Sequence, residues 1–365
     1  MNVWKVAGVV AGSGAALAGG VLVDRRWGRR FRRSVPDEEL HGLGSLRGER
    51  TQVVADDGVV LYAEVDELAP YEATAQPDDP QATVVFVHGF SLNLDCWHFQ
   101  RQAFRGRRRM VFYDQRSHGR SGRSSLENAT IDQLGRDLKL VIDTLAPDEP
   151  VVLVGHSMGG MSIVALAEQH PELFGDRVVG LGLVSTTAGG QRTHKILSRY
   201  IPDAIGRRVV EQGLLVAAER DRILEVARRN GGVLALRVIE EFAFGDKPVP
   251  REYVAFLDSM ISATPLKVLV EFIPQFDALD KFHVVESFAH VPTVIVCGTK
   301  DKLTSIGHAR KLSSRLPRAR LVELEGGGHM SIFEFKDEVN DCLEQLFAQA
   351  DGQADAQDDA QAAPA

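Results

Sequence analysis

Val154-Gly155-His156-Ser157-Met158-Gly159-Gly160 joins an apolar, β-branched run (Val151 to Val154) to an apolar helical pattern (Met158 to Gln169). No other stretch constrains the fold as tightly. A serine between a strand and a helix, with glycines two residues before and two after it, is the context a nucleophile elbow needs. The glycines have a physical reason. A serine held on so sharp a turn leaves no room for bulky neighbours, so Gly155 and Gly159 allow strand and helix to approach closely. The helix then starts beneath Ser157, where its dipole favours developing negative charge.

Working outward, further short runs rich in β-branched residues recur at intervals. They are Thr83 to Val87, Arg109 to Tyr113, Val178 to Val184, Thr293 to Val296 and, more weakly, Arg320 to Leu324. Runs that are apolar on both faces suit a parallel sheet covered by helices on each side. Thr130 to Leu145 and Met158 to Gln169 read as crossover helices between them. The alternation predicts an α/β protein with a mostly parallel, doubly wound sheet. One interval breaks the rhythm: residues 187–287 hold no such run, only helix-like segments such as Val209 to Arg229 and Tyr253 to Met260. That is too long for a bare loop in a compact domain, so a helical cap over the strand ends is expected.

Two more motifs follow strands. His88-Gly89-Phe90 comes directly after Thr83 to Val87. The glycine lets the backbone turn so that the Phe90 amide faces the site, and with the Met158 amide it forms an expected oxyanion hole. Such a hole needs no imidazole, so His88 is expected only to order the turn. Asp114-Gln115-Arg116-Ser117-His118-Gly119-Arg120-Ser121-Gly122 follows the next strand, and an Asp114–Arg116 hydrogen-bond network is expected to fix that loop. His118 competes for the role of base, but a nucleophile that precedes its base in the chain favours a later histidine.

The series of a strand followed by HGF, then DxRxHGxS, GHSMGG, a late Asp and a late His resembles the α/β-hydrolase superfamily, in its esterase, lipase and peroxidase-like branch. The resemblance spans roughly residues 50 to 345. Ser117 departs from it, since relatives commonly carry glycine there. The resemblance implies an acid after a late strand and a histidine in a loop near the end. Thr293 to Val296 leads into Gly298-Thr299-Lys300-Asp301, and Leu321 to Leu324 leads into Gly326-Gly327-Gly328-His329. Ser157 as nucleophile, His329 as base and Asp301 as orienting acid also satisfy the chemistry, because serine needs a base held in one tautomer by a carboxylate. Asp277 and Asp280 are the weaker candidates for the acid. The expected reaction is hydrolysis of a carboxylic ester through an acyl-enzyme, with neither metal nor organic cofactor. A cofactor-free haloperoxidase, a perhydrolase or a carbon–carbon bond hydrolase would use the same three residues. A non-catalytic scaffold would be expected to lack one of them, and GHSMGG lacks the GxGxxG spacing of a dinucleotide site.

Bulk composition sets the remaining limits. The formal net charge of −8 argues against a general nucleic-acid binder. Cys96, Cys297 and Cys342 are odd in number and far apart, and fit buried apolar positions better than a disulfide or zinc site. Residues 6–23 carry no charge, and as a helix would reach about 27 Å, close to the hydrocarbon thickness of a bilayer. Arg25, Arg26, Arg29, Arg30, Arg32 and Arg33 follow it. Residues 1–33 are therefore expected to insert in a membrane with the catalytic domain on the cytoplasmic side, secretion being the alternative. The expected core is 50–186 with 288–347, the cap 187–287, and 350–365 a disordered tail. A membrane location makes a lipophilic ester the expected substrate, and Phe242, Phe244, Phe256, Phe272 and Phe276 are expected mainly to form cap core.

Overall fold

The computed structural model describes residues 42–69, 81–191 and 239–362. Its eight strands are β1 (Glu49–Val54), β2 (Val60–Asp66), β3 (Thr83–Val87), β4 (Met110–Tyr113), β5 (Val151–His156), β6 (Val178–Val184), β7 (Thr293–Gly298) and β8 (Arg320–Leu324). They form one sheet in the order β1-β2-β4-β3-β5-β6-β7-β8. β1 and β2 pair antiparallel, as do β2 and β4, and the other neighbours are parallel. β3, β5, β6 and β7 are buried along their whole length, which their uninterrupted apolar runs require.

The helices are α1 (His98–Phe104), α2 (Ile131–Leu145), α3 (Met158–Gln169), α4 (Arg251–Ala263), α5 (Leu266–Ala278), α6 (Ile306–Arg315), α7 (Ser331–Glu334) and α8 (Lys336–Ala362). Alternate residues of one strand serve opposite faces. Val84 and Phe86 join Leu343 and Phe347 of α8 in one core. Val85 and Val87 join Leu138 of α2 and Ile163 of α3 in the other. Thr130 starts α2 by accepting the Gln133 amide at 3.1 Å on its hydroxyl, a side-chain N-cap.

Three features differ from the sequence reading or extend it. β1 and β2 were absent from the expected strands because Glu64 and Asp66 break the apolar alternation. Both carboxylates are buried, and both pair with the buried Arg101, at 2.7 Å in each case. The tail expected to be disordered from residue 350 is instead helical as far as Ala362. α8 is already anchored by Val339, Leu343 and Phe347, and extending a formed helix adds a hydrogen bond without a new nucleation cost. Asp351 also fastens it, 2.6 Å from Arg108. In the stretch expected to form the cap, α4 and α5 are bent by 94° around Thr264-Pro265, where proline removes a helical donor. Val209 to Arg229 and the 1–33 segment lie outside the described residues. Among the described residues no single helix is long and apolar enough to cross a membrane.

Candidate active site

Ser157 sits at φ 52°, ψ −116°, between β5 and the first turn of α3. A non-glycine residue there is strained, and holds only because its surroundings over-determine it. The Ser157 amide donates to Val184 O at 3.0 Å, and its carbonyl accepts the Thr186 hydroxyl at 2.6 Å. Gly159 makes the closest approach. A Cβ on it would lie 2.0 Å from Val87 O, so no larger residue fits between α3 and β3.

Asp301 follows β7 and is almost fully buried. Its Oδ1 accepts the amides of Leu303 and Thr304 at 2.8 and 2.9 Å, and its Oδ2 lies 2.9 Å from His329 Nδ1. Burial pushes this carboxyl up, but the charge and hydrogen bond of His329 and the amides of Thr304 and Leu303 outweigh it and hold it below its ordinary value. An ionised carboxylate only accepts, so Nδ1 of His329 carries the hydrogen and Nε2 is left as the basic nitrogen. His329 and Ser157 line the same cavity. The structure thus brings together Ser157, Asp301 and His329 from positions far apart in the chain. Asp277 and Asp280 are not part of this arrangement: Asp277 lies in α5, and Asp280 forms an isolated bridge with Gly189.

The Phe90 and Met158 amides lie on the turns after β3 and β5, and among the described residues neither donates to an acceptor. Gly89 lets the first turn pass close to the second: a Cβ on it would meet His156 Nδ1 at 2.7 Å and Ser157 Cβ at 3.2 Å. His88 does more than order a turn. The Gln115 amide donates to His88 Nε2 at 2.9 Å, so Nδ1 bears the hydrogen and donates to Gly89 O at 2.7 Å. That carbonyl belongs to the peptide unit whose N–H is the Phe90 amide. In a trans peptide the two point in opposite directions, so fixing one aims the other. Burial, with the nearby His118, lowers His88 to about 3 and keeps it neutral. Gln115 also donates to His88 O at 2.6 Å and accepts from the Ser162 hydroxyl at 2.8 Å. Neither Gln115 nor Thr304, whose hydroxyl lies 2.9 Å from Asp301 Oδ2, carried a signal in the sequence beyond its place in a loop after a strand.

The 114–122 loop corrects one expectation. Asp114 and Arg116 do not pair with each other. Asp114 accepts the amides of Leu94 and Arg120, whereas Arg116 pairs with Asp137 at 2.6 Å and Asp57 at 2.7 Å. A planar guanidinium with five donors is matched better by two carboxylates than by one already satisfied by backbone. His118 is held by Arg116 O and packs edge-on against Phe90 and Phe272, and the hydrogen bonds of Asp301 go instead to His329, Leu303 and Thr304. Ser117 stands at φ 67°, which explains why glycine suits that position, and its hydroxyl accepts the Ser124 amide.

The cavity beside Ser157 is partly open and measures about 180 Å³ within the described walls. Leu92, Met161, Leu257, Ile261, Ile273 and Phe276 make it apolar. Of the five phenylalanines of the expected cap, only Phe276 lines it; Phe256 stacks on Phe333 and Phe272 packs on Phe90. The three cysteines are buried and free, and among the described residues no group of His, Cys, Asp and Glu is arranged to hold a metal.

Comparison with known proteins agrees with this architecture. Residues 84–341 match the model of the alpha/beta hydrolase family. The chain is 25% identical over 281 residues to 3-oxoadipate enol-lactonase 2 of Acinetobacter baylyi, covering 77% of this chain and 93% of that one. Among solved structures, a thermophilic esterase from Thermogutta terrifontis superposes with a TM-score of 0.63 at 20% identity, covering 83% of this chain and 99% of the esterase. The enol-lactonase from Burkholderia xenovorans does so with a TM-score of 0.60 at 22% identity, covering 82% and 100%. At these identities the structures share the fold.

Proposed function

The chain belongs to the alpha/beta hydrolase family, and from that premise we propose that it is a serine hydrolase of carboxylic esters, with Ser157 as nucleophile. The observation that carries this reading is the 2.9 Å contact of Asp301 with His329 Nδ1, on a histidine that shares an apolar cavity with a strained serine. His329 Nε2 takes the proton of Ser157 as its Oγ attacks the acyl carbonyl. The Phe90 and Met158 amides hold the oxyanion, and the leaving alcohol departs with the proton from His329. Water deprotonated by His329 then releases the acid. The esterase and enol-lactonase likenesses support an ester bond as the target.

The cavity sets the acyl group. A dry apolar cavity of about 150 Å³ holds a benzene ring, so the described walls suit a ring or a short chain better than an extended lipid. With p-nitrophenyl esters from acetate to palmitate, we expect kcat/KM to peak at about four to eight carbons, the length that fills such a volume. Ser157 should be the residue labelled by a fluorophosphonate. No turnover across the series, together with no label on Ser157, would overturn the proposal. The uncharged 6–23 run and the six arginines after it support a membrane-inserted segment with the hydrolase on the cytoplasmic side.

The His88 network carries its own prediction. His88→Phe keeps a planar aromatic ring, slightly larger than imidazole, but removes both the donor to Gly89 O and the acceptor for Gln115. We expect kcat to fall by about tenfold to hundredfold, the lower range for a weakened oxyanion donor, with KM nearly unchanged. Steady-state kinetics beside a thermal melt measures this, and an unchanged kcat in a folded variant would show that the Phe90 amide needs no such support.

A further inference from the structure

Glu334 closes α7, five residues after His329, and the catalytic scheme above leaves it without a role. It is half-buried, and each of its oxygens accepts a backbone amide from a different segment. Oε1 takes the Gly328 amide at 2.8 Å, and Oε2 takes the Gly245 amide at 2.8 Å. Gly328 immediately precedes His329, whereas Gly245 belongs to the segment running from residue 239 towards α4. The two segments touch backbone to backbone around this carboxylate. Met330 N donates to Ala243 O, and Asp246 N donates to Gly326 O, both at 2.8 Å. A Cβ on Gly245 would meet Gly326 O at 2.0 Å, and one on Gly328 would meet the Phe244 carbonyl carbon at 2.4 Å. The carbonyl of His329 itself accepts His156 Nε2 at 3.0 Å.

The geometry points to Glu334 as a positioning residue that clasps the His329 loop to the Ala243–Asp246 segment and so fixes where the base stands relative to Ser157. This rests on the serine-hydrolase reading above. A carboxylate is suited to the place because both of its oxygens only accept; an amide turns its NH₂ towards one of the two backbone amides, and a protonated carboxyl accepts more weakly on the oxygen that carries the hydrogen. The charged groups on the surrounding segments are Glu325 in the His329 loop itself, Lys336 just after Glu334, Asp301 and Lys300 after β7, Lys302 beside them, and Glu240, Glu241, Asp246 and Lys247 opposite. Lys300 pairs with Asp246, Lys302 pairs with Glu241, and the Lys247 ammonium sits over the Phe335 ring, 3.9 Å from its centre.

Burial pushes the Glu334 carboxyl up to about 7, against the two amides and Lys247, and the charge of Asp301 adds to the rise. The sign follows. An acid whose folded value lies above its unfolded one makes the fold less stable as pH rises through that interval, here between 4.5 and about 7. Ionised Glu334 therefore costs the fold some stability above that interval, although the clasp on both amides needs it ionised. Below that interval it protonates and one side of the clasp weakens.

The test compares the full-length protein with E334Q, following p-nitrophenyl butanoate hydrolysis and fluorophosphonate labelling of Ser157 from pH 5 to 9, with thermal melts alongside. We expect kcat to fall about tenfold to hundredfold, the cost of misplacing a catalytic group by a fraction of an ångström to an ångström, with KM changing much less than kcat because Glu334 itself does not line the acyl cavity. The acid limb of the parent should change shape in E334Q, which lacks the Glu334 carboxyl. Melting above pH 7 should not drop. An E334Q protein with the parent's kcat and the parent's acid limb overturns the inference while leaving the serine-hydrolase reading intact. A parent that neither turns over nor labels at Ser157 overturns both. Should E334Q fail to fold, E334D decides: it retains the titrating carboxylate but is too short for both amides, so kcat falls with the parent's acid limb kept, and a parent-like kcat overturns the clasp.

Discussion

Ser157→Ala is expected to reduce kcat by about 10⁶-fold, the scale seen when a nucleophile that works as part of a unit is removed. The Ser157 hydroxyl is free of any structural duty in the resting protein. The backbone of Ser157 is fully engaged, its amide with Val184 O and its carbonyl with the Thr186 hydroxyl, but its side chain makes no capping bond to α3. Alanine loses the Oγ and keeps every backbone partner. It inherits the same positive φ without extra strain. Circular dichroism and thermal melting should therefore match the parent while ester turnover and fluorophosphonate labelling disappear. A variant that retains more than about one per cent of kcat would remove Ser157 from the chemistry, since an intact oxyanion site alone leaves far less than that.

Asp301→Asn is expected to cost about 10⁴-fold in kcat, through the tautomer of His329. The two amides of Leu303 and Thr304 converge on Oδ1 of Asp301. In the variant they select the amide oxygen for that position, which turns the NH₂ group towards His329 Nδ1. A donor facing Nδ1 forces the imidazole hydrogen onto Nε2, the atom that has to accept the Ser157 proton. Geometry survives while the base is disarmed. Kinetics at pH 8 with a melt for folding would measure it. A fall of less than tenfold would mean that His329 does not depend on Asp301 for its tautomer.

The parts of the fold that were legible in the sequence are those set by local rules. Val151 to Val154 followed by GHSMGG declares a strand, a turn and a helix within twenty residues, and α3 runs over Met158–Gln169 as read. The runs of β3, β6 and β7 are equally explicit, because a strand buried on both faces has to be apolar throughout, whereas β8, partly exposed and carrying Arg320 and Glu323, signals more weakly. Asp301 and His329 were found by their places after strand ends and by the family resemblance. What escaped depends on partners distant in the chain. Glu64 in β2 looks like a solvent residue until Arg101, 37 positions away, is folded against it. Arg116 reads as a partner for Asp114 two residues earlier, yet its partners are Asp137 and Asp57, 21 and 59 positions off. Glu334 reads as one more acid near the start of a helix. Only the folded chain brings Gly245 to it, across 89 positions.

The twist imposed on Ser157 bears on how such a protein changes over generations. A residue other than glycine at φ 52°, ψ −116° is a standing load on the native state, carried because the reaction demands it. Any lineage released from the need for activity is free to shed that load, since glycine relaxes the turn at once and the fold gains by it. Thermal robustness and turnover therefore pull in opposite directions at this one position. Directed searches that reward heat resistance alone would drift towards a sturdier, silent protein unless every round also demands hydrolysis.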